Sequence, residues 1–568
     1  MDEAAMIQRL RGNWTRLKND RSSWDQYWRD VKRYMCPGRG RFLAGENSTE
    51  VNNGQKDDPL CRINCEASRA LEVLASGIQS GLTSKARQWF LLTCDDVQLA
   101  KEHAVRVWYG EVQEILEHIF QRSNVYSALR NAYYEMAAFG QAVVSVSYHP
   151  EKVITCRCHT AGTYCLEMNH RQEIDTVYYC EWLTAPQMAD EYGDENLPDY
   201  IRERLGPNGQ QGNGGMTERY EVITMVTKSP SRYGLEWSDE LPVTSVHFLN
   251  RAGNSGDGIG EKFLRVSGYR DFPFMCPRWD VVDNDVYGWA PTRDIMGDTK
   301  QLQKMEEQKL KGLAKIVTPP MRIPPEMERR GLNMRPGALN VVNSLQENAV
   351  APLYTVGIDI QQLTAAAEAL KQNIKDGLYN SLFLSLLMQD NPQMTATEVQ
   401  ARQAEKMLML GPVLERIHCE LLDPLISRTF GLAVTEGLIP DPPEDVDNMT
   451  NIEYVSILSQ AQKAVGVSRI EQSLAFLGSL IQTAPEVRHL VDWYKMYREY
   501  NQMIGVREDI FVSKDEYDQK VRQEQQMQAA QAAGQAIQPM AESAAALSKV
   551  NPANLKELLG GQMGGAMM

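Results

Sequence analysis

Six residues in one short stretch of this chain could by type bind a transition metal: Cys156, Cys158, His159, Cys165, His170 and Cys180. Thiolate and imidazole are the ligands zinc prefers. Their spacing argues against a site, because Cys156 and Cys158 lie in a run with strand character, where alternate side chains share a face. No second ligand pair follows at zinc-finger distance. Asp280, Asp283 and Asp285, beside Trp279 and Trp289, could chelate a divalent cation for a virion-associated metal-dependent nuclease or hydrolase, but a polar turn ahead of a helix is the plainer reading. The four glycines of 253–260 lack a following Lys-Ser/Thr and read as a flexible turn. Gly-Lys-Ser/Thr, His-Glu-x-x-His and Gly-x-Ser-x-Gly are all missing. No acid, base or nucleophile can be nominated, and the expectation is a protein with no catalytic activity, no metal and no cofactor.

Charge is the next chemistry on offer. The net charge of -15 argues against a surface that clamps nucleic acid throughout, since tight binding needs Lys and Arg to neutralise phosphates. Over 292–335, however, ten Lys and Arg stand against six Asp and Glu; Lys304, Lys311, Lys315, Arg322, Arg329, Arg330 and Arg335 are among the cations. Over 429–462 there is no Lys or Arg at all, while Glu436, Asp441, Glu444, Asp445, Asp447 and Glu453 are all acidic. The ten cysteines, scattered through 568 residues, suit reduced, buried thiols better than a disulfide framework. No apolar run reaches the roughly 18 residues of a membrane span, and the N-terminus lacks the marks of a signal peptide, so a cytoplasmic product is expected.

A further pattern is structural but local. In Met394-Thr395-Ala396-Thr397-Glu398-Val399 the Thr395 hydroxyl can accept from the amide of residue 398, Glu398 can reach back to the amide of Thr395, and Met394 can pack on Val399. That is a capping box with its hydrophobic staple. So sharp a helix start fixes the polar loop before it: Gln389, Asp390, Asn391, Pro392 and Gln393.

The elements that must hold this loop follow from periodicity. The length suggests about three to five domains. Residues 1–35 read as one helix with Trp14, Leu17, Trp24, Trp28 and Val31 at three- and four-residue steps, placed for a core rather than a membrane surface. Further helices are expected at 62–82, 105–120 and 125–139, with Gly140 just past the last one's end. Between 142 and 249 six short β-branched or aromatic runs predict strands. A charged helix without a broad apolar stripe is expected over 292–313, and the prolines of 316–356 allow only short strands and turns. Helix returns over 360–388, then from Ala396 to about 430 with a kink at Gly411-Pro412, and residues 450–505 read as a small helical module. The Gln- and Ala-rich stretch beyond 515 has little to build a core from.

This order, with Leu74-Ala75-Ser76-Gly77-Ile78-Gln79-Ser80-Gly81-Leu82-Thr83-Ser84 leading into Trp89-Phe90, Phe272-Pro273-Phe274, Arg278-Trp279 and Tyr287-Gly288, resembles the head-to-tail connector, or portal, proteins of short-tailed double-stranded DNA phages. The resemblance runs over roughly 5–510. It implies an α+β portal fold, mainly helical, assembled as a ring of twelve at one capsid vertex of the virion, put together in the host cytoplasm, with double-stranded DNA passing along the axis. By position it implies a wing over 1–290 (helical to 140, β-rich from 141), a stem helix at 291–315, a clip at 316–356, a second stem helix at 357–388, a tunnel loop at 389–394, a long wing helix at 395–437, a crown at 438–510 and a tail at 511–568. Gln389, Asp390, Asn391, Pro392 and Gln393 would then face DNA, held by Met394, Thr395, Glu398 and Val399. Lys304, Lys311 and Lys315 would make the stem basic, and Arg322, Arg329, Arg330 and Arg335 would contact DNA or a partner. Implied partners are a terminase motor, tail adaptor or nozzle proteins, and the major capsid and scaffolding proteins. The alternatives are the metal-dependent nuclease or hydrolase and an internal virion protein ejected with the genome.

Overall fold

The computed structural model describes residues 3–42, 62–94, 99, 102–205, 218–235, 238–250, 262–323, 333, 351–353, 360–387, 410–443, 450–454, 476–477, 496 and 522–523. The chain divides into two units, Met1–Gln462 and Lys463–Met568, and every helix and strand named here belongs to the first.

Instead of one N-terminal helix there are two, α1 (Glu3–Asp20) and α2 (Ser22–Tyr34). The break at Arg21 lets one apolar periodicity serve two cores. Ile7, Leu10, Trp14 and Leu17 of α1 pack with Tyr178, Ile223, Met225 and Phe248 of the large sheet, whereas Trp28 and Val31 of α2 join the main helical core. Arg21 itself is 2% exposed, and its guanidinium donates to the carbonyls of Tyr164 and Gly162 and to Asp25. A cation buried so deeply is tolerable only because those acceptors surround it.

Helices α3 (Glu66–Leu82), α4 (His103–Arg122) and α5 (Val125–Phe139), with strand β1 (Phe90–Cys94) between the first two, build the main core. α5 ends on Gly140 at φ 88°, the left-handed cap expected from sequence. That glycine has a second reason: a Cβ there would lie 2.0 Å from the carbonyl oxygen of Gly288, and one on Gly288 would lie 2.2 Å from that of Gly140. The two backbones touch, and the Trp279 amide bonds the Gly140 carbonyl at 2.7 Å.

The β-rich part holds two antiparallel sheets. Strands β2 (Val143–His149), β3 (Val153–His159), β4 (Tyr164–Met168), β5 (Ile174–Thr184), β6 (Arg219–Thr227) and β7 (Val243–Leu249) match the six expected runs, with helices α6 (Ala185–Tyr192), α7 (Asp199–Leu205) and α8 (Pro230–Tyr233) between them. Two strands, β8 (Arg265–Tyr269) and β9 (Phe274–Met275), were not expected. The orders are β4-β5-β6-β7-β8 and β3-β2-β9. α1 covers one face of the larger sheet.

Beyond a 3-10 turn at Pro291–Arg293 runs α9 (Met296–Val317), four residues longer at its far end than expected. Strands β10 (Met321–Arg322) and β11 (Ala351–Pro352) pair antiparallel where short strands were predicted. The single helix expected over 360–388 is again two, α10 (Ile360–Gly377) and α11 (Asn380–Leu387), divided at Tyr379, which adopts φ 56°. Leu378 and Leu382 are both buried, so the apolar spacing continues across a break that it cannot reveal.

Gly411 and Pro412 stand in helical backbone described from 410 on, and the turn before it, against which the expected kink would be judged, lies outside the described residues; an irregular turn lies at His418–Leu422, a π-helical segment followed by α12 (Asp423–Thr435). Pro424 has no N–H to return to the carbonyl four residues back, and the Asp423 amide bonds His418 one residue further away than in an α-helix. Thr450–Tyr454, placed by sequence in a helical module, is strand β12 and pairs with β1 from Phe90↔Tyr454 to Cys94↔Thr450.

Candidate functional site: the helical hairpin and its anchorage

α9 and α10 form a hairpin whose tip carries β10 and β11. Its root is keyed into the main core. Ile295, Met296 and Leu302 on one side and Ala367, Leu370, Ile374 and Leu378 on the other are buried there. Polar groups fix the angle of entry. Thr292 donates to the Ala138 carbonyl at 2.7 Å, which leaves its oxygen to accept from the Tyr27 hydroxyl at 2.7 Å, and the Arg293 guanidinium lies 3.5 Å over the Trp289 ring. The buried Gln303 carboxamide accepts from the Ile63 and Asn64 amides at 2.8 and 2.9 Å and donates to the Asn64 carbonyl. Ion pairs Lys300–Asp30 and Lys375–Glu66, at 2.6 and 3.2 Å, close the outer edge.

Two glycines let the parts meet. At Gly377 a Cβ would stand 2.4 Å from Cγ2 of Ile295, so only glycine lets the second hairpin helix end against the start of the first. At Gly77, in α3, a Cβ would stand 2.3 Å from Cγ of Phe383. Phe383 belongs to α11, the last described element before residues 389–393. The 74–92 stretch therefore has a physical job: its Gly77 seats α11.

The hairpin loses its cover toward the tip. Past Gln303 the only buried residue of α9 is Gly312, and Leu310, Ile316 and Val317 are 54%, 43% and 76% exposed, with Leu353 after β11 at 62%. The basic character expected here is also reduced. Glu307 accepts from Lys311 at 2.5 Å and from Lys304 at 2.9 Å, and these two ammonium groups hold its carboxyl down to about 2. Lys304 and Lys311 thus share one carboxylate within their own helix, at i,i+3 and i,i+4 spacing, and the trio keeps one positive charge. Lys315 is exposed and pairs with no described residue, and Arg322 is exposed on β10. Gln389, Asp390, Asn391, Pro392, Gln393, Met394, Thr395, Glu398, Val399, Arg329, Arg330 and Arg335 lie outside the described residues.

A second junction joins the β-rich part to the long helix. Arg278, 7% exposed, donates through Nη2 to Glu420 Oε1 at 2.7 Å and through Nε at 3.2 Å, while its own amide bonds Glu420 Oε2 at 2.8 Å. Glu420 sits in the π-helical segment. Nothing in the sequence paired these two residues across 142 positions.

The six residues first considered for zinc are dispersed. Cys156 lies in the main core, Cys165 and Cys180 beneath α1, and His170 is an exposed turn residue. Burial pushes the Cys156, Cys165 and Cys180 thiols up to about 12, 11 and 12. His159 packs on the Tyr179 and Phe274 rings. Among the described residues no group of three His, Cys, Asp or Glu could hold a metal ion. The aspartates near Trp279 are taken up by the turn: Asp285 accepts from Trp289 Nε1 at 2.8 Å, and Asp280 faces Arg416 at 3.7 Å.

Residues 7–512 match the family described as bacteriophage head to tail connecting protein. The chain belongs to this family. As a member it is a phage head-to-tail connector, and the mixed helix-and-sheet architecture agrees with the α+β class. It is 33% identical over 556 residues, 97% of both chains, to a probable portal protein of Bordetella phage BPP-1. It is 31% identical over 548 residues, 95% of both chains, to the portal protein of Salmonella phage epsilon15. Connectors of this family are components of the phage particle. None of the described helices is long and apolar enough to cross a membrane.

Proposed function

We propose that this connector is the portal of its phage: a ring of twelve copies at one capsid vertex, through which double-stranded DNA is packaged and later ejected. The observation that carries this reading is the hairpin of α9 and α10, keyed rigidly at its root and bare at its tip, in a chain that matches the connector family over nearly its whole length. Covering the exposed parts of Leu310, Ile316, Val317 and Leu353 against a neighbouring copy would contribute about 1–2 kcal/mol for each side chain. The hairpins then surround the channel as its stem, and β10 and β11 belong to the clip at its end.

In this reading Gln389, Asp390, Asn391, Pro392 and Gln393 form the tunnel loop, held by the cap of Met394, Thr395, Glu398 and Val399. A channel through which DNA slides both ways must not trap phosphates. An acidic chain whose stem pairs Lys304 and Lys311 with Glu307 and leaves Lys315 unpaired meets that need. Arg322, Arg329, Arg330 and Arg335 serve contacts at the clip with a terminase motor or tail adaptor, and the wing faces capsid and scaffolding proteins. The role is conduit and docking platform, with no chemical step. Electron microscopy of the purified protein tests it: rings with twelve subunits are expected, and protein that stays monomeric or amorphous under all conditions refutes it.

A further inference from the structure

A cavity of about 440 Å³ opens where the β-rich part meets α12, lined by Lys228, Pro242, Val243, Arg270, Asp271, Phe272, Pro424, Ser427 and Arg428. Three cations face one carboxylate. Arg428 is 6% exposed; its Nε donates to the Val146 carbonyl and its Nη1 to the Asp271 carbonyl, both at 2.9 Å, and no hydrogen bond to a described residue engages Nη2. A guanidinium held this way has one donor edge left over, and Arg428 lines the cavity. Burial pulls Arg428 below its ordinary value even beside Asp271, so the charge is under-compensated. Lys228 is held 4.8 Å over the Phe272 ring. Pro242, Val243, Phe272 and Pro424 give the space apolar walls that suit the methylenes of an acidic side chain, and its volume far exceeds that of a lone oxyanion.

The same helix carries the complement at its other end. α12 closes on Glu436, and the exposed stretch that follows holds Leu438 and Asp441; Val434 and Leu438 are 47% and 46% exposed. Glu436 is held by the Tyr148 hydroxyl. No Lys or Arg occurs from 429 to 462. Eight residues of helix separate Arg428 from Glu436, roughly 12 Å. A basic socket and an acidic, apolar-flanked plug on one element, displaced along its axis, suit a head-to-tail contact between copies. Contacts of that type close into rings when the rotation permits.

We infer that the Lys228, Arg270 and Arg428 cavity of one subunit receives the acidic stretch around Glu436 and Asp441 of the next subunit, setting the order of neighbours in the wing. The inference rests on the proposed ring. Two surface variants test it: Lys228→Glu/Arg270→Glu reverses the socket and Glu436→Lys/Asp441→Lys reverses the plug, while Arg428 is left in place for its structural bonds. By sedimentation velocity each variant alone should need at least about tenfold more protein to assemble, because like charges then face each other. Mixing the two should restore assembly, since every socket again meets a plug of opposite sign, and so should all four changes in one chain. Circular dichroism melts should stay at the wild-type midpoint, so that loss of fold is told apart. Wild-type rings with unchanged assembly in both variants, restoration by inorganic phosphate in place of the partner variant, or failure of the mixture to recover overturns the inference and leaves the ring standing. Wild-type protein that never forms rings overturns both.

Discussion

Gly77→Ala isolates the seat on which the proposed tunnel loop depends. In an exposed helix interior this change stabilises by about 1 kcal/mol through backbone entropy. At Gly77 the new methyl would lie 2.3 and 2.4 Å from Cγ and Cδ1 of Phe383, so the ring must retreat by about 1 Å to reach ordinary contact. Phe383 is 3% exposed and packed in the main core, and overpacking of that kind costs about 1–3 kcal/mol. The net effect is a loss of up to about 2 kcal/mol. Gly110→Ala supplies the control, because Gly110 is exposed in α4 and a Cβ there meets nothing within 4 Å; it should stabilise. Urea midpoints of the two variants should therefore move in opposite directions, and Phe383→Leu should reverse the loss at Gly77. Retreat of Phe383 moves α11, so particles assembled with Gly77→Ala should also retain less DNA at normal ring yield. A Gly77→Ala protein that gains stability as Gly110→Ala does would refute the reasoning.

The junction at Arg278 should be costly to break: Arg278→Met leaves Glu420 with only the backbone amide, and since Glu420 is 24% exposed the loss should be about 2 kcal/mol in urea unfolding, partly recovered by adding Glu420→Leu. Thr395→Ala should cost about 1 kcal/mol per subunit through loss of the helix cap and should reduce DNA retention more than ring formation; rings that fail while the subunit stays folded would place the loop elsewhere. His247, bonded by Tyr192, Thr224 and Ser245, is held by burial down to about 4. Because the unfolded chain takes up this proton near pH 6.5 and the folded chain only near 4, stability falls as pH drops through that window, by up to roughly 3 kcal/mol, and His247→Gln should make the melting profile less steep there, with buried His159 and His418 supplying the remaining slope. Lys315→Ala should alter packaging velocity more than Lys304→Ala, whose charge Glu307 already offsets; equal effects would count against Lys315 facing the channel.

Periodicity located elements well and their interruptions badly. β6 and α5 fall on the residues expected, down to the left-handed Gly140, because β-branched alternation and a helix followed by glycine are local signals. The breaks at Arg21 and Tyr379 are not local. In both, apolar residues continue at helical spacing, and the direction changes because a distant partner claims the next turn: the Tyr164 and Gly162 carbonyls around Arg21, and the α3 surface beside Leu382 and Phe383. β12 is invisible for the same reason, since a five-residue strand exists only by pairing with β1, more than 350 positions earlier.

The hairpin of α9 and α10 divides in the same way between local and distant signals. The i,i+3 and i,i+4 spacing of Lys304, Glu307 and Lys311 is a local signal, and the ion pairs follow it. That the helical hairpin of α9 and α10 stands at a fixed angle was not legible, because it depends on Thr292, Gln303, Gly377 and Gly77 meeting groups far away in sequence. The root is rigid through shape and hydrogen bonds, and the tip is modestly basic and partly apolar. A ring built from such hairpins would hold its bore by packing between copies rather than by attraction to the DNA inside it. High salt should then leave ring diameter in electron micrographs unchanged even while it weakens the charged contact proposed in the wing, and a bore that widens with salt at intact ring number would contradict this division of labour.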